Sequence, residues 1–182
     1  MSVFTKKGDT GKTRILNGIE LSKAHIRIKS IANIDELNSY IGLIRSFEII
    51  PKPIKNFLLE VQNDLFKISA MLACTTQKLY ERIPKITSID VEKLEIQIDR
   101  YEILLPKQHF FIIPGGSQEI SFIHISRSVC RRAETYVVEL NDKEKIEPII
   151  IKYINRLSDY LFVLARYTAK LQNIKEQRAN VR

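Results

Sequence analysis

From about residue 31 onward, apolar residues return every three or four positions, the spacing that gathers them on one face of an α-helix. Ile34, Leu37, Ile41 and Ile44 define the first such stretch, with Asn33 as a candidate N-cap and Glu36 three residues further on. Pro53 suits the first turn of a second helix carrying Phe57, Val61, Leu65, Ile68 and Leu72, because the N–H it lacks has no partner there. Thr87 or Ser88 starts a third, with Val91, Leu94, Ile98 and Tyr101 on its apolar side. Pro114-Gly115-Gly116 breaks the chain before a fourth, and Pro148 opens a fifth. The pattern predicts an all-α protein, a five-helix up-and-down bundle over residues 31–175. An irregular N-terminal arm (1–30) precedes it and a flexible tail (176–182) follows. No repeat divides the chain, so residues 1–182 read as a single domain.

The fourth and fifth helices carry more than a core face. At 100° per residue, His124, Arg127, Arg131 and Glu134 fall in one narrow arc, opposite Phe122, Ile125, Val129, Ala133, Tyr136 and Leu140. On the fifth helix Lys152, Asn155, Asp159, Phe162 and Arg166 share an arc that faces away from Ile150, Leu157, Leu161 and Leu164. A single charged stripe is ordinarily a solvated face. Here Ile120 and Val138 lie among the arginines and Phe162 lies among the polar residues of its stripe. That mixture points to a cleft or a subunit contact.

Charge narrows the choice of partner. The 29 Lys and Arg against 21 Asp and Glu give a formal net charge of +8, which attracts polyanions of any kind. The cations are dispersed and aromatic residues are not interleaved with them as a stacking platform, so a nucleotide triphosphate fits better than nucleic acid. Cys74 and Cys130 lack metal-type spacing and read as reduced thiols. The opening residues carry no apolar signal core, and no apolar run approaches the roughly 20 residues that span a membrane. A cytoplasmic protein without a membrane partner is expected.

The N-terminal arm contains Gly11-Lys12-Thr13, which looks like the end of a Walker A loop, but that motif requires glycine where this chain has Lys6. Alternating strands and helices, needed to hold such a loop, are also missing from the pattern. Gly8 and Gly11 still let backbone N–H groups approach an anion, and Lys6, Lys7, Lys12 and Arg14 supply charge. On the residues alone, a phosphate-binding arm and a mobile basic terminus stand level.

Five ordered motifs add a further line of inference: Thr5-Lys6-Lys7-Gly8-Asp9-Thr10-Gly11-Lys12-Thr13, Asp35-Glu36-Leu37-Asn38, Phe111-Ile112-Ile113-Pro114-Gly115-Gly116, Arg127 to Glu134, and Asn155-Arg156-Leu157-Ser158-Asp159. In that order they resemble the PduO-type ATP:cob(I)alamin adenosyltransferases, whose signatures are T-K-x-G-D-x-G-x-T, D-E-L-N, F-x-x-P-G-G, R-x-x-x-R-R-A-E and N-R-L-S-D. The resemblance implies a ferritin-like, cobalamin adenosyltransferase-like bundle. It implies transfer of the 5′-deoxyadenosyl group of ATP, bound with Mg2+, to Co(I) of cob(I)alamin, with release of triphosphate. By similarity ATP would be met by Arg131, Arg132, Ala133, Glu134, Thr135 and Asn155 of the helices, and by Thr5, Lys6, Lys7, Gly8, Thr13, Arg14 and Lys23 of the arm. Glu134 cannot bind phosphate directly, so it would orient an arginine or meet the magnesium ion.

The same resemblance assigns Phe111 to the lower face of the corrin ring, where it displaces the axial base, with Phe162 beside the same ring. It implies a homotrimer with active sites between subunits, in which Asp35 of one chain pairs with Arg127 of the next, and a reductase or reductant supplying Co(I). Two departures stand out: Thr135 where the family usually has arginine, and Ala32-Asn33 where it usually has a glycine. Beside the enzyme reading remain a non-enzymatic ATP- and cobalamin-binding carrier or regulator, and a basic helical nucleic-acid-binding module.

Overall fold

The computed structural model describes residue 6 and residues 8–180. Thr5 and Lys7 lie outside the described residues. In the arm, β1 (Lys12–Arg14) and β2 (Glu20–Ser22) pair antiparallel, with Thr13 opposite Leu21. Gly18, at φ 82°, closes the turn between them, donating its N–H to the Ile15 carbonyl at 2.9 Å. Five long helices follow: α1 (Ile26–Ser46), α2 (Lys52–Leu72), α4 (Ser88–Glu102), α5 (Gln118–Lys143) and α6 (Pro148–Leu171). A single-turn helix, α3 (Gln77–Tyr80), lies between α2 and α4. It adds one short element to the five expected.

The helix-start signals differ in outcome. Pro53 sits in the first turn of α2 and Pro148 opens α6. Thr87 precedes α4 with its backbone N–H donating to the Asp90 carboxylate at 2.9 Å. For α1 the expected boundary moves. Asn33 is inside the helix, donating to the Lys29 carbonyl, and the true cap is His25, whose Nδ1 accepts from the Arg27 N–H at 3.2 Å. The extra turns form because Arg27, though charged, is buried: it donates to the Leu72 carbonyl and to Glu144 at 2.7 Å. The arm is therefore shorter than residues 1–30.

α6 forms the centre of the bundle, packed against α4 on one side and α5 on the other, while α1 packs against α5 and α2. Tyr153 and Tyr160 of α6 are fully buried and turned toward α2, where Tyr153 donates to Asp64 at 3.0 Å and Tyr160 meets Phe57 edge-on at 5.2 Å. On α5 the buried face runs through Ile123, Cys130, Ala133, Val137 and Leu140. That face lies between the two arcs drawn from the sequence, and Ile125, assigned to the apolar arc, is exposed. The polar arc is consequently at the edge of the buried face, where it can line a groove.

The segment expected to be a loose tail is engaged as far as the described residues extend. Ile112 and Arg178 form a β-bridge, with Ile113 donating to the Gln177 carbonyl and Ala179 to the Phe111 carbonyl, both at 2.8 Å.

Candidate functional site

α5 and α4 flank α6 and leave between them an open groove of about 600 Å³. Arg127 and Arg131 of α5, Asp159 and Phe162 of α6, and Glu95 and Asp99 of α4 line it. The cations and the aromatic ring singled out by periodicity thus share one wall system. Arg156, which periodicity did not single out, also enters the groove. It bridges α6 to α4, donating to Glu95 at 3.0 Å and to Asp159 at 3.3 Å. Its N-R-L-S-D motif with an acid three residues on was the available signal.

The two groove arginines differ in surroundings. Burial, followed by repulsion from the neighbouring Arg131, lowers the Arg127 guanidinium below the ordinary arginine value. The Arg127 Nε is buried and has no hydrogen-bond partner among the described residues. Arg131 is exposed. Next to them, His124 is 5% exposed with an unpartnered Nδ1, and its pKa is lowered to about 4 by burial and then by Arg127, against a smaller opposing pull from Glu176. The imidazole is therefore neutral at ordinary pH and packs near Phe162, with ring centroids 6.4 Å apart.

Glu134 and Asn155 meet where α5 and α6 run together, the Asn155 amide donating to Glu134 at 3.0 Å. This bond fixes the carboxylate and leaves its second oxygen available. Arg132 turns the other way. Its guanidinium donates to Asn33 at 2.9 Å and pairs with Glu36, both of α1, so it is directed away from the groove that holds Arg131. Ala133 is buried against the core, and Thr135 is exposed, its hydroxyl donating back to the Arg131 carbonyl.

Phe111 is 74% exposed on the loop before α5, in a hollow shared with Gln108, His109 and Arg178. A second hollow lined by Asp99, Glu102, Gln108 and His109 shares residues with both the Phe111 hollow and the arginine groove, so the three form one run along the surface. In the arm, the Lys23 ammonium lies against Gly8, where an added Cβ would sit 3.2 Å from Nζ, and Lys23 N–H donates to Gly11 at 2.8 Å. Lys12 and Arg14 pair with Glu20. The arm is tied by Asn17 to Thr75, beyond the end of α2, and none of its described residues lines the arginine groove. Asp35 is exposed on α1 and makes no ion pair among the described residues. Within one chain the structure brings Arg127, Arg131, Asp159 and Phe162 together, and Glu134 with Asn155. It does not bring Asp35 to Arg127, or the described arm residues into the arginine groove.

Among the described residues no cluster of three His, Cys, Asp or Glu side chains could hold a metal ion, and no helix is long and apolar enough to cross a membrane. The Cys130 thiol is buried, which raises its pKa and keeps it a packed, unreactive side chain.

A family model described as cobalamin adenosyltransferase matches residues 3–168 of the chain. A corrinoid adenosyltransferase of Bacillus subtilis is 40% identical over 170 residues, covering 91% of this chain and 86% of the relative. A cobalamin adenosyltransferase of Cupriavidus metallidurans is 38% identical over 164 residues, covering 90% and 86%. Among solved structures, a phenylalanine-to-alanine variant of the PduO-type ATP:corrinoid adenosyltransferase from Lactobacillus reuteri, complexed with cobalamin and ATP, matches with a TM-score of 0.91 at 34% identity. That match covers 99% of this chain and 100% of the other.

Proposed function

The chain belongs to the cobalamin adenosyltransferase family, and from that premise we propose how its residues divide the work. The protein is an ATP:cob(I)alamin adenosyltransferase, an enzyme that transfers the 5′-deoxyadenosyl group of ATP to Co(I) of a corrinoid and releases triphosphate. Co(I) supplies the electron pair of the new Co–C bond, and the C5′–O bond breaks with its pair leaving on triphosphate. No proton need be abstracted. The protein's contribution is to hold C5′ and cobalt in line and to stabilise the charge that grows on the leaving group.

The observation that carries the assignment of residues is the groove in which Arg127 and Arg131 stand with Phe162. Arg131, exposed and with no carboxylate paired to it among the described residues, is our donor for the leaving triphosphate, since a guanidinium stays charged and offers a planar fork to phosphate. Glu134, fixed by Asn155, orients the nucleotide's partners or meets its magnesium ion. Gly8, Thr13, Arg14 and Lys23, with Thr5, Lys6 and Lys7, close over ATP from the arm. Phe111 covers the lower face of the corrin, for which a bulky side chain with no ligating atom is the chemical requirement, and Phe162 lines the same pocket. Arg132 belongs to the nucleotide side only through α1, given its bonds to Asn33 and Glu36.

Three features favour a site shared between chains, and with it a homotrimer: the Arg127 Nε without a partner among the described residues, the exposed Asp35, and an arm whose described residues do not line the groove of their own chain. A reductase or small reductant supplying Co(I) follows from the nucleophile's oxidation state, and a cytoplasmic setting accords with ATP as substrate. The test is direct. Purified protein, ATP, magnesium and chemically reduced cobalamin, mixed under anoxic conditions, should give a light-sensitive adenosylcobalamin spectrum; an unchanged corrinoid spectrum would overturn the reading.

A further inference from the structure

Phe111 has little packing of its own to aim it. Its side chain is 74% exposed, and the main chain of residues 107–116 makes its backbone–backbone hydrogen bonds, among the described residues, to the C-terminal segment alone. Those two bonds, Ile113 N–H to Gln177 and Phe111 carbonyl from Ala179, flank Ile112 and so fix the direction of the strand that carries the phenyl ring. Arg178 adds a cation–π contact, 5.7 Å from the Phe110 ring.

The C-terminal segment is itself held at one charged point. Just beyond α6, Asn173 stands in the left-handed region at φ 54°, which turns the chain back so that Ile174 packs against Gly116. Two residues on, Glu176 meets Arg166 of α6, a side pair only 5% and 19% exposed: Nε donates at 2.8 Å to one carboxylate oxygen and the terminal nitrogen at 3.3 Å to the other. That same nitrogen donates at 3.0 Å to the Pro106 carbonyl, at the start of the Phe111 loop. A buried bidentate pair is directional and cannot slide, because removing either partner leaves a desolvated charge.

We propose that Glu176 is a positioning residue for Phe111. Clamped by Arg166, it sets the register of the C-terminal segment, and that segment sets the direction of the loop that presents Phe111 to the corrinoid. This rests on the assignment of Phe111 made above. Arg166 thereby ties both strands of the bridge to α6, the helix that also carries Phe162.

The test is a double-mutant cycle on the full chain with cob(II)alamin, ATP and a reductant. It uses Phe111→Ala, Glu176→Ala, Glu176→Gln and Ala179→Pro, the last deleting the N–H bonded to the Phe111 carbonyl without touching the ion pair. Glu176→Ala should lower kcat on the order of 10- to 100-fold, the range a misplaced reacting geometry costs. It should weaken the four-coordinate Co(II) spectrum and leave the Kd for ATP unchanged. Glu176→Gln, which keeps an acceptor for Arg166, should recover part of the loss. Combined with Phe111→Ala, Glu176→Ala should add nothing further, because both act through one ring. Additive losses, or a Glu176→Ala enzyme with wild-type kcat, would overturn the proposal. If Glu176→Ala does not fold, Ala179→Pro decides: it must reproduce the spectral change and the non-additivity. A Phe111→Ala enzyme indistinguishable from wild type would instead overturn the assignment of Phe111.

Discussion

Two guanidinium groups one helical turn apart repel each other unless an anion lies between them. Arg127 and Arg131 stand in that relation on α5, and the depression of Arg127 by burial and by Arg131 is its electrostatic trace. With Arg131 proposed as the donor to the leaving triphosphate, Arg131→Ala is expected to lower kcat by about 10²- to 10³-fold, the loss typical for one preorganised donor. Because Arg131 is exposed, the thermal midpoint should stay near wild type; a kcat close to wild type would remove Arg131 from the site. Phe111→Ala should act on the other substrate. A phenyl ring does nothing for triphosphate, so ATP affinity should hold, while an axial nitrogen returning to cobalt stabilises Co(II) over Co(I). Turnover should fall most when cobalt enters as Co(II) and recover when prereduced Co(I) is supplied; equal losses in both assays would make Phe111 a packing residue. His124 gives a pH signature. Its folded pKa, about 4, lies below the ordinary 6.5, so the unfolded chain binds its proton first as pH falls. The stability contribution is complete above pH 6.5 and is lost between 6.5 and about 4, a loss on the order of 3 kcal/mol at most. Urea midpoints of wild type and His124→Gln should therefore converge over that interval, and parallel curves would contradict it.

Among the elements, α4 shows how a short helix is held. Thr87 donates twice to the Asp90 carboxylate, from its N–H at 2.9 Å and from its hydroxyl at 2.8 Å, and Asp90, buried, also faces Lys67 at 3.7 Å. Desolvation alone would raise the Asp90 pKa, but bonds from Thr87 and attraction to Lys67 outweigh it and hold the carboxyl below its usual range. Asp90→Ala should then cost about 1–2 kcal/mol, a fall of several degrees in Tm for a chain of this size, read by calorimetry; no change would mean that α2 and α6 alone hold α4. Thr87 was one of the two starts legible for α4 in the sequence, and the prolines opening α2 and α6 were legible as well, since each acts through its immediate neighbours. The start of α1 was not. Asn33 and Glu36 have the spacing of a capping box, yet tertiary partners claim both, for Arg132 bonds to each. The earlier turn depends on Arg27 finding Leu72 and Glu144, which lie 45 and 117 residues away. Periodicity likewise placed Arg127, Arg131, Asp159 and Phe162 on common faces, because helical spacing is local. It could not foresee that Arg132 turns to α1 or that residues 177–179 pair with the Phe111 loop, both of which are set by packing between distant segments.

In the whole molecule, charges of opposite sign remain apart although each is positioned to be met. Arg127 presents a buried Nε without a partner, and a buried unsatisfied donor costs on the order of 1–3 kcal/mol unless something reaches it. Asp35 is exposed on α1, one residue before Glu36, which Arg132 ties to α5. If a second copy supplies Asp35 to Arg127, three such contacts close a ring, and each adds a carboxylate to the open arginine groove. Sedimentation of the native protein at micromolar concentration should then give a trimer. Asp35→Asn keeps the shape of the side chain but removes the charge, so it should weaken corrinoid handling more than ATP binding and leave the monomer's Tm nearly unchanged, because within its own chain Asp35 pairs with no described cation. A strict monomer with full activity would refute the shared site. A trimer whose Asp35→Asn variant works like wild type would keep the assembly and remove the Asp35–Arg127 contact from it.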